Sequence, residues 1–297
     1  MQPDLGAKQL PLFAYLPDSY EGPELPEAGP AGAVTLFHRS VTDEFDDKRS
    51  LARKMQAAGC EGAFAPSFLT VEAALKDTSW RSSRADEDLF FVKPSCGSGG
   101  RGIRVLNREQ LSRESIDEEQ CVVQRAVQDI ETIEGRKFVL RFYLVIHDGA
   151  IFMHRRGVVI VHDAPYEQSS ANYDVQVCHD GMHEAGSGEL LRAMHLQPDG
   201  ERWREAIRRR VQEIYCGLQP IVQASSKSLY TIIGGDALIE STGEARLIEL
   251  NFYPNLGSQN GVLNADVKQP MLRDALSQVL LGVPTSELEL VLPPELV

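Results

Sequence analysis

Residues 89–106 gather the side chains best able to do chemistry: Leu-Phe-Phe-Val-Lys-Pro-Ser-Cys-Gly-Ser-Gly-Gly-Arg-Gly-Ile-Arg-Val-Leu. An apolar run ends in Lys93, a loop with glycines at 97, 99, 100 and 102 follows, and 103–106 reads as a second short strand. Without Cβ atoms, backbone N–H groups can converge on oxygens at close range, so the loop suits phosphates, with Lys93 as a point charge beneath it. In the P-loop and dinucleotide fingerprints such a loop opens a helix. Here β-branched residues come next and a helical pattern waits until about Arg108, so the stretch predicts a hairpin flap. A solvent-exposed glycine hairpin with no ligand is the other reading of the same residues.

A second constellation is acidic. Residues 235–240 and 245–251 read as two strands around the turn Ser-Thr-Gly-Glu at 241–244. Pairing Glu240 with Ala245 puts Asp236 opposite Glu249, with Cβ atoms about 5 Å apart. Like charges so placed need a proton or a cation. Asn251, two residues on and on the same face, adds an amide oxygen. Hard oxygens of this kind suit Mg2+, which is usually shared with substrate phosphates. A one-residue shift at the turn would instead leave one carboxylate in solvent.

Other elements must position these groups. Residues 136–146 predict a long strand with Phe138, Leu140, Phe142, Leu144 and Ile146 on one face and Lys137, Val139, Arg141, Tyr143 and Val145 on the other. Two cations thus share a side. Asp148-Gly149 marks a hairpin, with 150–161 as the return strand. Upstream, a strand at 33–37, a helix at 43–58 stopped by Gly59, a short strand at 63–65 and a Thr70-capped helix to Lys76 suggest a small α/β unit. Residues 121–127 read as extended, and polar, aperiodic 164–188 as a lid or binding loop. Trp203, Ile207, Val211, Ile214 and Leu218 mark an amphipathic helix whose Arg208-Arg209-Arg210 run is a solvated face. Cys178, His179 and His183 lie close together without a fourth ligand, Cys96 reads as a small filler, and His154 and His162 as structural.

The chain has 297 residues, 42% hydrophobic and 25% charged, which fits one large or two modest globular domains. Five scattered cysteines without a C-x-x-C pair argue against a disulfide framework or structural zinc, and so for a reducing, cytoplasmic setting. No signal sequence or membrane span is read. A net charge of −13 repels nucleic acid. Oligomeric state is not legible.

In order and spacing, five segments resemble the ATP-grasp superfamily, and within it the tubulin–tyrosine ligase-like branch, over roughly 47–254. They are Val-Lys-Pro-Ser with the glycine loop (92–102), Val-Val-Gln-Arg (122–125), Gly-Arg-Lys-Phe-Val-Leu-Arg (135–141), Gly-Gly-Asp-Ala-Leu-Ile (234–239) and Leu-Ile-Glu-Leu-Asn-Phe-Tyr-Pro (247–254). The resemblance implies an α+β, ATP-grasp fold: a small α/β N-terminal domain over 1–78, a flap-bearing subdomain over 79–130 and a metal-site subdomain over 131–297, with a nucleotide clamped between the last two. It implies ATP and Mg2+. Lys93 would touch the α/β-phosphates, while Ser95, Gly97, Ser98, Gly99, Gly100 and Gly102 would close over the nucleotide. Gln124 and the backbone of Arg125, Ala126 and Val127 would meet the adenine edge. Lys137 and Lys48 would lie near the nucleotide, Arg141 near the γ-phosphate or a substrate carboxylate, and Asp236, Glu249 and Asn251 would hold Mg2+. The chain departs from the branch at Arg125, where the branch has Lys, at Val139, where it has Asp, and at Ile160, where it has Arg. A fourth departure is 176–179, Gln-Val-Cys-His in place of His-Leu-Thr-Asn.

The implied reaction is ATP-dependent carboxylate–amine ligation through an acyl phosphate, with Arg141 and Lys93 as catalytic cations. Because an acidic chain suits an acidic protein tail poorly, the charge points to small-molecule amino acids as both substrates. Arg141 with Arg155 or Arg156, and His179, would then bind the substrate. Addition of an amino acid to a protein or peptide, as in the tubulin ligases, is the alternative. A nucleotide-binding module without catalysis and a kinase are the others.

Overall fold

The computed structural model describes residues 13–14, 34–36, 39–78, 88–97, 99–177, 190–254, 256 and 263–292. Two short strands open the chain, β1 (Phe13–Ala14) and β2 (Val34–Leu36), followed by helices α1 (Arg39–Asp46) and α2 (Lys48–Ala57). The single helix expected over 43–58 is therefore two. Asp47 breaks it: its backbone is extended and its side chain accepts from the Ser50 N–H at 2.7 Å, capping α2. The strand expected at 63–65 is a 3-10 turn, Glu61–Ala63, after which Phe64 makes only an isolated bridge to Leu247. Strand β3 (Ser67–Phe68) and α3 (Val71–Lys76) follow, and Thr70 caps α3 as expected.

The glycine-loop hairpin is β4 (Leu89–Pro94) and β5 (Arg104–Asn107), and α4 (Arg108–Arg113) begins where the pattern placed it. With β6 (Cys121–Arg125) these strands form an antiparallel sheet in the order β3-β6-β4-β5. Strands from the first 78 residues are shared out: β3 joins this sheet, whereas β2 pairs in the larger one.

The larger sheet is built on β7 (Thr132–Ile133), β8 (Arg136–His147), β9 (Ala150–His154), β10 (Val158–Pro165) and, past the one-turn helix α5 (Tyr173–Gln176), β11 (Leu191–Ala193). Helices α6 (Gly200–Glu213) and α7 (Tyr215–Ala224) precede β12 (Leu229–Ile239) and β13 (Ala245–Asn251). A π-helical turn, Asn264–Lys268, runs into α8 (Gln269–Leu281), and β14 (Leu288–Val291) ends the described fold. Of the expected lid at 164–188, the first two residues finish β10, 173–176 form α5, and 178–189 lie outside the described residues.

The return strand expected over 150–161 is two strands, both paired with β8: β9 on residues 144–147, β10 on 138–141 and 136. The break falls at Arg155, Arg156 and Gly157, where a Cβ on Gly157 would sit 2.6 Å from the Arg141 carbonyl. On its other edge β9 pairs with β14.

Strand β8 is core on both faces. Its even-numbered apolar residues pack with Trp203, Ile207, Val211 and Leu218 of α6 and α7. Val139, Tyr143 and Val145 pack with Met271, Ala275 and Val279 of α8. The Arg208-Arg209-Arg210 run is a neutralised surface, paired with Glu205, Glu244 and Glu213. At Gly235 of β12 the Phe142 ring occupies the space a side chain would need. Gly235→Ala is expected to cost about 1–3 kcal/mol of stability through overpacking. Urea titration checks it, and an unchanged midpoint would contradict this packing.

Candidate active site

Asp236 does face Glu249, but by a different route from the one the turn suggested. At the turn Ile239, not Glu240, pairs with Ala245, which is the one-residue shift that should separate the carboxylates. A β-bulge restores them: Ala237 pairs with Leu247, Asp236 with Glu249, and Ile248 is the extra residue between. On its other side Asp236 pairs with Arg141 of β8, whose guanidinium donates from Nε to Oδ1 at 2.5 Å and from Nη2 to Oδ2 at 2.9 Å. Burial raises the Asp236 carboxyl pKa against the pull of Arg141. For Glu249 burial acts the same way, but the charges of Lys93 and Lys48 and a hydrogen bond from Asn251 outweigh it and hold the group below its usual value. Asn251 Nδ2 donates to Glu249 Oε1 at 3.1 Å and to the Gly234 carbonyl, so its Oδ1 is left as an acceptor.

Two lysines, Lys93 and Lys48, face this pair from separate elements, and a third, Lys137, lines the same cleft. Lys93, at the end of β4, is buried and donates to Gln124 Oε1 at 2.6 Å. Gln124 Nε2 reaches Ser67 Oγ and, at 3.1 Å, the carbonyl of the bulged Ile248, so one amide joins the small sheet to the carboxylate hairpin. Lys48 is the first residue of α2. Its Nζ lies 3.9 Å from Glu249 Oε2 and donates to the Gly97 carbonyl at 2.7 Å, while its N–H donates to the Ser95 carbonyl. The Asp47 break therefore has a purpose in the site: it turns the start of α2 toward the glycine loop. Lys137 of β8 is buried and donates to the backbone and side-chain oxygens of Gln176, at 2.9 and 3.2 Å.

Lys93, Gln124, Lys137, Gln176, Asp236 and Glu249 line one cleft, walled by Phe91, Ile103, Val139, Leu238 and Ile248. Gly100 closes one end. Its φ is 71°, and a Cβ there would meet the Tyr173 hydroxyl at 2.8 Å and Val177 at 2.9 Å, while Tyr173 Oη donates to its carbonyl. A buried hydroxyl, Ser95 Oγ, has no hydrogen-bond partner among the described residues. An orphaned donor, buried lysines held apart from full ion pairs, and two carboxylates with an amide oxygen together fit a phosphate chain carrying a divalent cation.

Other expected residues fall differently. Gly97, Gly99 and Gly100 border the loop cavity with Lys48, and Gly102 packs on Pro94. Ser98 and His179 lie outside the described residues. The Arg125 side chain turns away from the cleft to Asp88, at 2.8 and 2.9 Å, and to Asp77. The N–H groups of Arg125 and Ala126 go to the Pro66 and Leu89 carbonyls; Val127 lines the cleft. Arg155 and Arg156 are not brought to it. The strand break sends Arg155 to Glu289 and Glu201, and Arg156 to Glu287 and the Asp266 carbonyl, so the expected fork with Arg141 does not form. Two departures from the family pattern, Val139 and Ile160, are direct partners across β8 and β10, so apolar contact stands where Asp and Arg were expected. Gln176 and the Ile248 bulge were missed: one sits in an aperiodic polar stretch, and the other is a register fault that no residue type announces.

The tubulin-tyrosine ligase family model matches residues 27–180 and 189–288, most of the chain. The chain belongs to the tubulin-tyrosine ligase family. Similar curated proteins include human "Tubulin polyglutamylase TTLL5", 23% identical over 230 residues, and mouse "Tubulin monoglycylase TTLL3", 22% identical over 228. The matches cover 65% and 66% of this chain but 17% and 25% of those proteins, so the chain spans a minor part of their length. Their names describe enzymes that modify a protein, which overturns the small-molecule acceptor inferred from charge. Among the described residues no helix is long and apolar enough to cross a membrane.

Burial pushes Lys93 down to about 8, with Glu249 opposing, and burial with the Lys93 charge pushes Lys137 down to about 7. Unfolded lysines stay charged to about pH 10. Between the folded and unfolded values the unfolded chain binds more protons, so this contribution to stability rises with pH. The stability of the wild type relative to Lys137→Met is expected to increase from about pH 7 to 9 in urea titrations. A flat or falling difference contradicts it.

Proposed function

We propose that this chain is an ATP-dependent ligase that joins the amine of an amino acid to a carboxylate on a protein or peptide, releasing ADP and phosphate. The observation that carries the reading is the Asp236–Glu249 opposition, set between Arg141 on one side and Lys93 and Lys48 on the other. Family membership and the relatives' protein-modifying names support it.

Asp236, Glu249 and Asn251 would hold Mg2+, which when bound neutralises charge on the phosphates. Lys93 and Lys48 would add fixed positive charge along the phosphate chain, so the transferring phosphoryl group meets its counter-charges without reorganisation. The glycine loop, whose Gly100 meets Tyr173, would exclude water from an acyl phosphate formed on the acceptor. Arg141, in the same shell, would stabilise the oxyanion as the amine attacks. The aromatic and aliphatic walls from Phe91, Leu238 and Ile248 would take the purine, with Gln124 and the backbone of 125–127 at its edge, and Lys137 nearby. In this reading the flap-bearing segment, 79–130, closes on the segment from 131 onward.

The test is incubation of the purified chain with ATP, Mg2+, labelled glutamate, glycine or tyrosine, and peptides offering internal glutamates or a free C-terminus. The expected result is label on a peptide with an equal yield of ADP. Glu249→Gln is expected to lower the rate by about 100-fold or more. ADP release that never accompanies peptide labelling would overturn the ligase reading.

A further inference from the structure

Away from the cleft, Cys60 and Cys216 bring their sulfurs to 2.7 Å although 156 residues apart in sequence. Both are free thiols. That separation is closer than non-bonded contact between sulfurs and approaches the ~2.05 Å of a disulfide. We propose that Cys60 and Cys216 are a modification site: a pair that closes to a disulfide by exchange with a small-molecule disulfide, tying the end of α2 to α7.

Rigid elements hold the two sulfurs together. Cys60 ends a helix-stop motif: Gly59, with φ 69°, donates to the Gln56 carbonyl at 3.1 Å, and the Cys60 N–H donates to the Met55 carbonyl at 2.8 Å. Cys216 is the second residue of α7. The next residue, Gly217, lets that helix approach α2, because a Cβ there would meet Met55 Sδ at 2.5 Å. The Ala58 carbonyl lies between the thiols, 3.5 Å from Cys60 and 3.6 Å from Cys216. The pair is also asymmetric in access: Cys60 is buried and Cys216 exposed. Burial and the neighbouring sulfur push the Cys60 thiol up to about 11, so Cys216 is the member that meets an oxidant first.

With oxidised glutathione the chemistry balances. The Cys216 thiolate attacks one sulfur, forming a mixed disulfide and releasing one glutathione thiolate. Cys60 then loses its proton and attacks the Cys216 sulfur, releasing the second. Two protein thiols are oxidised and one glutathione disulfide is reduced to two thiols. The bond closes a long loop in the unfolded chain, where the chain-entropy effect is greatest. It also fixes the helix whose other end presents Lys48.

The full chain is incubated with oxidised glutathione and read by intact mass, alkylation and peptide mapping. The expected product has lost two hydrogens, joins the Cys60 and Cys216 peptides, and melts about 5 °C higher until reduced. The surface variant Cys216→Ser should form no such product and show no shift, and Cys60→Ala should stop at a glutathione adduct on Cys216. A wild-type chain that keeps Cys60 alkylatable after denaturation, or that ends as a stable glutathione adduct, overturns the proposal.

Discussion

Two carboxylates opposed on neighbouring strands, Asp236 buried and Glu249 half-buried, are the constraint to which the cleft answers. Their mutual repulsion and loss of hydration must be offset locally, and the compensation comes from three cations on three elements. Arg141 clamps Asp236 from the adjacent strand. Lys93 and Lys48 lower Glu249 from the small sheet and from α2. The two acids therefore sit in different fields, one against a guanidinium and one facing the glycine loop.

The arrangement also explains why the two sheets meet where they do. Gln124 accepts from Lys93 and donates to the carbonyl of the bulged Ile248, so the buried lysine of β4 and the hairpin that carries the acids share one hydrogen-bonded joint. Lys48 plays the matching part for the loop, holding the Gly97 carbonyl beside Glu249. Neither lysine has full ion-pair compensation from within the protein. Buried charge left short of a partner is costly unless function uses it.

Much of this was legible before any coordinates. Period-two geometry assigned the residues around Arg141 to two faces, because successive side chains of a strand point to opposite sides of the sheet. The glycine loop and its following strand were readable from residue type alone. The Asp236–Glu249 pairing came out as expected only because two faults cancel: the turn is one residue longer, and the Ile248 bulge takes up the difference. The break at 155–157, which removes Arg155 and Arg156 from the site, depends on the tertiary pairing of β9 with β14 and left no local mark. Asp47 could have been read as a cap, since Asp three residues before Ser50 and ahead of Leu51 has that form. The acceptor was misjudged for another reason: net charge belongs to the whole surface, whereas acceptor choice belongs to a few groups at the cleft mouth and to whatever else binds the partner.

Binding of a non-hydrolysable ATP analogue with and without Mg2+, to the wild type and to Asp236→Asn combined with Glu249→Gln, probes the opposed carboxylates most directly. If they grip the ion, Mg2+ tightens binding to the wild type by about tenfold or more, and the double variant binds the analogue with no gain from the metal. A double variant that keeps the full Mg2+ gain would show that the ion is held elsewhere and that this pair has another use.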